Sequence, residues 1–377
     1  MPIYTFWRNN LVLITNDATI APWKIESDEE KFLTSLADRD ENAKRSYVNY
    51  YREHDPNYYN KGLQMAEKTI LLFRPDATED EKEKYVIDMV YSLHRFGCMF
   101  DEYFLFNFEK LNTAGRDSFI TDKNRWDYYN RLNTKDGRSI FNDKAKTFEM
   151  FKKYYHRDLI MLSDDREFDA FCAFRRKHCR FIVKPLFGSG GKGIYIEKND
   201  TDDNQTVFER ALSKGPVVIE ELIQQVPEMS AIHPESLNTV RIPTLLTRNG
   251  VKIFHPYLRI GIGGAEVDNG ACGGILALVD SETGIVMQRG VTESGKKYMK
   301  HPDTGSVIPG FQVPRCGEAV SLVHELAGVI PSNHYVGWDC ALTEHGWVMV
   351  EGNPQGQFGS QYVSGEGYRY ELERLFE

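Results

Sequence analysis

The stretch Phe181-Ile182-Val183-Lys184-Pro185-Leu186-Phe187-Gly188-Ser189-Gly190-Gly191-Lys192-Gly193-Ile194-Tyr195-Ile196 decides how the rest of the chain is read. Gly188, Gly190 and Gly193 satisfy G-x-G-x-x-G, but the dinucleotide fingerprint requires a helix after the loop, whereas Ile194-Tyr195-Ile196-Glu197 predicts a second strand. Strand, glycine loop and strand also begin a protein kinase, and His156-Arg157-Asp158-Leu159 imitates the kinase catalytic loop. That tetrapeptide precedes the glycines instead of following them, Ser163 stands where a metal-binding Asn is required, and no Asp-Phe-Gly follows. It is read as the end of a surface helix. What survives is the physics common to both folds: a glycine hairpin lets backbone N–H groups close over a polyphosphate, while Lys184 and Lys192 supply positive charge. A solvated β-turn with incidental lysines is the bland alternative.

A second constellation lies near the far end of the chain. Val336-Gly337-Trp338-Asp339-Cys340-Ala341-Leu342 and Trp347-Val348-Met349-Val350-Glu351-Gly352-Asn353-Pro354 read as the two strands of a hairpin turning at Glu344-His345-Gly346. Glu351 and Asn353 are two apart and share a strand face; Asp339 joins them if the loop holds three residues with Gly346 left-handed. A two-residue turn would set Asp339 and Glu351 on opposite faces. Three hard oxygen ligands in an apolar strand context suit Mg²⁺, which completes its shell with water and substrate phosphates. The alternative is a solvent-facing hairpin edge.

Composition limits the class. A chain of 377 residues has room for about two to three domains, and 41% hydrophobic with 12% aromatic residues is the profile of a folded protein. A net charge of −9 argues against a nucleic-acid binder or a basic membrane-surface protein. The N-terminus lacks a basic region followed by an apolar stretch, no run approaches a membrane span, and a cytoplasmic location is expected. The six cysteines form no C-x-x-C pair, so they are read as buried free thiols. Only Cys272, inside a glycine-rich segment, invites a catalytic reading, and no histidine is close to it in sequence.

Residues from about 25 to 160 read as helices. Asp28-Glu29-Glu30-Lys31-Phe32-Leu33 opens one; Glu79-Asp80-Glu81 opens another, with Tyr85, Met89, Leu93 and Phe96 on its apolar face and Glu83, Lys84 and Asp88 on the other. Tyr47, Tyr50, Tyr51, Tyr58 and Tyr59 are expected in core and interface positions. After Phe181 the texture turns to strands: Phe181–Val183, Ile194–Ile196, Val217–Ile219, Thr239–Leu246, Ile253–Ile260 and Trp347–Val350. Helices are expected at about Thr206–Leu212 and Glu318–Ala327. Helices first and sheet later predict an α+β protein.

The order of these elements resembles the ATP-grasp superfamily over roughly residues 138–360. The Lys184 strand and its glycine loop, Val217-Val218-Ile219-Glu220-Glu221-Leu222-Ile223, the Arg241 and Arg259 strands, Asn269 with Gly273-Gly274, and Asp339 with Glu351-x-Asn353 carry the resemblance. Ile140-Phe141-Asn142-Asp143-Lys144 and His233-Pro234-Glu235-Ser236-Leu237-Asn238-Thr239-Val240-Arg241-Ile242 resemble the sugar-transfer-associated ATP-grasp family, which is linked to polysaccharide biosynthesis. The resemblance implies a helix-rich N-terminal region for acceptor recognition (1–137), a small lobe with the glycine loop (138–222) and a large lobe with the magnesium and substrate site (223–377). The two lobes would clasp ATP.

By position, the resemblance assigns Lys144 and Lys184 to the nucleotide phosphates, with Gly188, Ser189, Gly190, Gly191, Lys192 and Gly193 closing over them. Glu220, Glu221 and Ile223 fall in the hinge whose backbone meets adenine, and Gln225 or Glu228 would reach the ribose. Asp339, Glu351 and Asn353 match the ligands of two Mg²⁺ ions. Arg241 and Arg259, with Lys184, match the groups that neutralise the transferred phosphate, and Ser236, Asn238, Asn269, Gly273 and Gly274 fall beside the acceptor. A Rossmann-like domain, common at the start of such ligases, has no counterpart in the first ~130 residues.

The chemistry implied is an ATP-dependent carboxylate–amine ligase, joining small-molecule substrates that include sugar-linked ones through an acyl phosphate. Phosphoryl transfer needs mainly positioning and charge neutralisation, and two lysines, two arginines and a metal pair answer that need. A small-molecule or sugar kinase on the same fold is the enzyme alternative, and a non-catalytic nucleotide-binding scaffold is the second. His233 and His334 are left outside the catalytic set as structural histidines. Substrate identity and oligomeric state stay open.

Overall fold

The computed structural model describes residues 28–188, 193–198, 201–264 and 273–376, and within them helices come first and sheet later. The expected helical region forms α1 (Asp28–Ala37), α2 (Glu41–His54), α3 (Pro56–Phe73) and α4 (Glu79–Phe96), followed by shorter helices to Phe151. Helix α4 starts where its acidic first turn predicts. Thr78 caps it in a capping box with Glu81, and Gly97 ends it in the left-handed conformation at φ 65°.

One residue on its expected polar face is buried instead. Asp88 takes two hydrogen bonds from Arg116, at 2.8 and 2.7 Å, and one each from Lys44 and Tyr103. Burial disfavours its charge, but Arg116 and Lys44 hold the carboxyl below its usual range. Tyr47 and Tyr51 are core residues as expected, and Tyr50 and Tyr59 are partly buried.

The small sheet is antiparallel, in the order β1 (Leu159–Leu162), β4 (Val217–Glu221), β2 (Phe181–Pro185), β3 (Tyr195–Glu197). Phe181 and Val183 of β2, with Val217 and Ile219 of β4, pack on the helices Phe168–Lys177 and Asn204–Leu212. By the two-residue period of a strand, Lys184 and Glu220 must face the other way, toward the rest of the protein.

The large sheet has eight strands, ordered β10 (Lys297–Tyr298), β9 (Gly290–Thr292), β8 (Ile275–Leu278), β7 (Tyr257–Ile260), β5 (Thr239–Thr247), β11 (Tyr335–Thr343), β12 (Gly346–Asn353), with β6 (Gly250–Ile253) also on β5. The single strand expected over Ile253–Ile260 is two: His255 sits at φ 50°, and Pro256 has no N–H for a ladder.

Alternation divides the large sheet's faces between two cores. Val240, Ile242, Leu258, Ile260, Trp338 and Cys340 face the helix Cys316–Val329. Tyr257, Leu276, Leu278 and Val291 face the N-terminal helices. The second face is therefore the one from which Arg241, Arg259 and Asp339 project, since each neighbours residues of the first. Helices Lys135–Asn142 and Lys144–Phe151 pack with the large sheet: Phe148 and Phe151 lie in its core, although the resemblance assigns residues from 138 onward to the small lobe. Cys98, Cys316 and Cys340 are buried thiols, whereas Cys179 is exposed and Cys172 half-buried; Cys272 lies outside the described residues. No helix among the described residues is long and apolar enough to cross a membrane.

Candidate functional site

The β11–β12 hairpin closes through a two-residue turn, Glu344-His345, between the paired Thr343 and Gly346, not through the three-residue loop expected. Continued without interruption, that register would set Asp339 opposite Val350 and turn Glu351 to the wrong face. A β-bulge prevents it. Cys340 pairs with Met349 and Asp339 with Glu351, so Val350 has no partner and every residue beyond it is shifted by one. Asp339, Glu351 and Asn353 thereby converge. The Asn353 amide donates to Glu351 at 3.0 Å and to Asp339 at 3.3 Å.

Asp339 is the hub of this group. Arg241 grips it with two nitrogens, Nε and Nη2, the second at 2.7 Å, and Arg259 donates to the same carboxylate at 2.5 Å. Burial opposes ionisation of Asp339, but the two guanidinium groups hold it well below the usual carboxylate range. Burial likewise disfavours the charge of Arg241, and Asp339 more than restores it. Both arginine side chains are only 11% exposed. Glu351 behaves oppositely: the protein crowded around it, then the charge of Asp339, push its carboxyl up. Its side chain is nevertheless exposed to solvent, so a ligand can reach it.

The small sheet supplies the facing charges. Lys184 Nζ lies 2.8 Å from Glu220, which Arg157 also binds at 2.9 Å. Burial of Glu220 raises its pKa, but Lys184 and Arg157 outweigh it and hold the carboxyl at about 2. Lys144 reaches over the start of the glycine loop, donating to the Gly188 carbonyl at 3.0 Å. Burial lowers the pKa of Lys144, and the charges of Glu351, Lys184 and Glu220 also act on it.

Arg157, read from the sequence as part of a surface helix end, is the residue that joins these groups. Only 3% of its side chain is exposed, and it stacks on Tyr155 with the guanidinium 4.1 Å from the ring centre. Besides Glu220 it donates to the carbonyls of Met349, at 2.7 Å, and Val350, at 3.3 Å. Those carbonyls flank the bulge. One side chain thus ties the lysine-bearing sheet to the kink that aims Glu351. Its sequence signal was present but pointed elsewhere, because the tetrapeptide it belongs to imitates another fold.

Several expected site residues serve other purposes. Glu220 and Glu221 belong to β4, the Glu221 N–H is taken by the Asp158 carbonyl at 3.0 Å, and Ile223 follows the end of the strand. Gln225 spends its amide on the Ser236 carbonyl, at 2.5 Å, and the Asn238 N–H, at 3.0 Å; it holds a loop and is not free for a ribose. Glu228 is exposed. Ser236 and Asn238 are 2% and 0% exposed and bonded to each other at 2.8 Å, which makes them structural and not acceptor-contacting. Gly188 and Gly193 adopt φ 103° and 77°, and Gly273 φ 92°, values that require glycine. Gly274 is buried. Ser189, Gly190, Gly191, Lys192 and Asn269 lie outside the described residues.

The Glu220 cluster carries a prediction. Because its folded pKa of about 2 lies below the ordinary 4.5, ionised Glu220 contributes stability that is complete above pH 4.5 and lost as the pH falls toward 2. The contribution is about 3 kcal/mol. Glu220→Gln should unfold earlier than the parent in urea at pH 6, with the gap closing below pH 3. A gap independent of pH would contradict the assignment.

Solved structures of known proteins match this chain at low identity. D-alanyl-alanine synthetase A from Vibrio cholerae O1 biovar eltor is 11% identical with a TM-score of 0.41, covering 65% of this chain and 63% of that one. D-Alanine-D-alanine ligase from Helicobacter pylori is 14% identical with a TM-score of 0.40, covering 63% and 60%. The ATP-grasp ligase PsnB, complexed with minimal precursor, Mg and ADP, is 11% identical with a TM-score of 0.40, covering 70% and 68%. The chain thus spans less than two thirds of the length of the first two. No curated protein matches the sequence. The profile of the family described as sugar-transfer associated ATP-grasp matches residues 123–376, beginning upstream of the 138 expected and including the helix that carries Tyr129. With most of its length inside that match, the chain belongs to the sugar-transfer associated ATP-grasp family.

Proposed function

We propose that the protein is an ATP-dependent carboxylate–amine ligase acting through an acyl phosphate, with an acceptor class that includes sugar-linked molecules. The observation that supports this reading most is the pair of arginines, Arg241 and Arg259, converging on one carboxylate beside Glu351 and Asn353, with the charges of Glu351 and Lys184 acting on Lys144. A carboxylate does not react with an amine unaided. Its oxygen would attack the γ-phosphorus of ATP, ADP would leave, and the amine would then displace phosphate from the acyl carbon. Both steps concentrate negative charge, which lysines and arginines held in place by their partners stabilise without reorganising.

Magnesium fits the residues present. Glu351 and Asp339 are paired across the hairpin, and Asn353 donates to both carboxylates, so three oxygen-bearing side chains converge at one place. Glu351 and Asn353 would hold one Mg²⁺, and Asp339 would join a second once a guanidinium yields to substrate. Bound there, magnesium supplies charge neutralisation at the phosphates. Lys144 and Lys184 would hold the phosphates under the glycine loop.

The test is a panel of carboxylates and amines, sugar acids and amino sugars among them, assayed for ADP. The ligase reading expects ADP and phosphate only when both partners are present, at a rate at least ~100-fold above ATP alone. A stable phosphorylated product without amine would make the protein a kinase. Tight ATP binding without turnover on any pair would make it a scaffold.

A further inference from the structure

Two His-Pro-acid tripeptides, His233-Pro234-Glu235 and His301-Pro302-Asp303, stand far apart in sequence and meet in the fold. The rings of His233 and His301 are 4.7 Å apart, and both residues are 1% exposed. His233 Nε2 lies 3.8 Å from Asp303 Oδ2, and one ligand atom from each of the three residues lies within 4.8 Å of the others. His233 is therefore not the lone structural histidine its sequence context suggests.

The surrounding hydrogen bonds fix which ring nitrogens carry lone pairs. Asn238 uses its Nδ2 on the carbonyls of Met229, at 3.1 Å, and His233, at 2.7 Å, so its Oδ1 faces Ser236 and takes the hydroxyl proton at 2.8 Å. With its proton committed, Ser236 Oγ can only accept from His233 Nδ1, 2.8 Å away. The His233 proton is then on Nδ1 and Nε2 carries a lone pair. His301 Nε2 lies 2.7 Å from the Gly261 carbonyl and must donate to it, so Nδ1 carries the lone pair, which accepts the Asp303 N–H in a long bond of 3.3 Å that a metal ion would replace. His233 Nε2 is 3.8 Å from Asp303 Oδ2, and His301 offers its ligand atom within 4.8 Å of both.

We infer that His233, His301 and Asp303 form a binding site for one divalent transition-metal ion of the zinc class, separate from the Asp339 site. Two neutral imidazoles and a carboxylate favour such an ion over Mg²⁺. Their tautomers are set by a second layer of hydrogen bonds, the arrangement that orients metal-binding histidines. A tetrahedral zinc ion needs ligand atoms about 3.3 Å apart, so the three must draw together by no more than about 1.5 Å. The supporting turn is anchored: Thr304 and Ser306 donate to the carbonyls of Ile232, at 2.8 Å, and Ala231, at 2.9 Å. Asp303 also accepts the Gly263 N–H at 2.6 Å. The metal would staple the segment before β5 to the turn after β10, which itself hydrogen-bonds Gly261 and Gly263 at the exit of β7. Asp303, 40% exposed at its side chain, leaves a path for the ion.

The test uses the full chain without a histidine tag, stripped with a chelator and titrated with Zn²⁺ against a chromophoric competitor, and separately with Co²⁺. One equivalent of Zn²⁺ bound below about 1 μM is expected, with the visible absorption bands of four-coordinate cobalt. His301→Ala should weaken binding at least ~100-fold, and Asp303→Asn and Ser236→Ala about 10-fold each. Asp303→Asn, at a partly exposed position, keeps the test valid if His301→Ala fails to fold. No binding below 100 μM, or equal binding by parent and Asp303→Asn, would overturn the assignment.

Discussion

Arg157→Met is expected to lower the stability of the protein by about 3–5 kcal/mol, because it strips one partner from a buried ion pair and leaves two bulge carbonyls without their donor. Against a total of about 5–15 kcal/mol for a domain, such a loss should be plain as an early urea midpoint. The same change should weaken Mg·ADP binding by at least ~10-fold, since the Val350 bulge that turns Glu351 toward Asp339 loses its clamp. Arg157→Lys keeps the charge but not the fork that spans Glu220 and both carbonyls, and should recover less than half of the lost stability. Urea midpoints for the three proteins, read beside nucleotide titrations, separate the two effects. A Met variant as stable as the parent would show that Arg157 does not join the two sheets.

Glu351→Gln should do the reverse: remove at least ~100-fold of ATP-dependent turnover while leaving the fold as stable as the parent or more so. The sign follows from its raised pKa. Folded Glu351 holds a proton that the unfolded chain releases above about pH 4.5, so its ionisation costs stability as the pH rises through the folded value. Glutamine carries no such cost. Because the side chain opens to solvent, screening limits the gain to under about 1 kcal/mol. Thermal melts at pH 7 without magnesium should place the Gln variant at or slightly above the parent, and added Mg²⁺ with ADP should raise only the parent. Near-normal turnover in Glu351→Gln would refute the metal assignment.

The two variants show how the sequence divides into legible and illegible parts. Strand β2, the glycine positions and the β11–β12 hairpin were readable because each rests on local rules: alternation, glycine at positive φ, apolar runs between turns. The convergence of Asp339 with Glu351 was expected for the wrong reason. A three-residue turn and a two-residue turn followed by a bulge deliver the same face, and only the second occurs. The family resemblance alone places Ser236 and Asn238 beside the acceptor. The fold instead closes them into a network with Gln225 and His233. Asp88 looked solvent-facing by helical spacing, and Arg116 and Lys44, distant in sequence, reversed that.

The glycine-rich stretch from Phe181 to Ile196 determined, by itself, that a strand–loop–strand unit with a lysine before the glycines would form, and with the terminal carboxylates it pointed to a nucleotide fold. It did so because strand periodicity and glycine backbone freedom are properties of neighbours in sequence. What the tertiary structure alone decided is which charges meet: Lys184 with Glu220, Glu220 with Arg157, Arg157 with the Val350 bulge, and Arg241 and Arg259 with Asp339. Those pairings cross from one sheet or strand to another. Burial makes each charge depend on its partner, and no local rule in the chain records which partner the folded packing will bring.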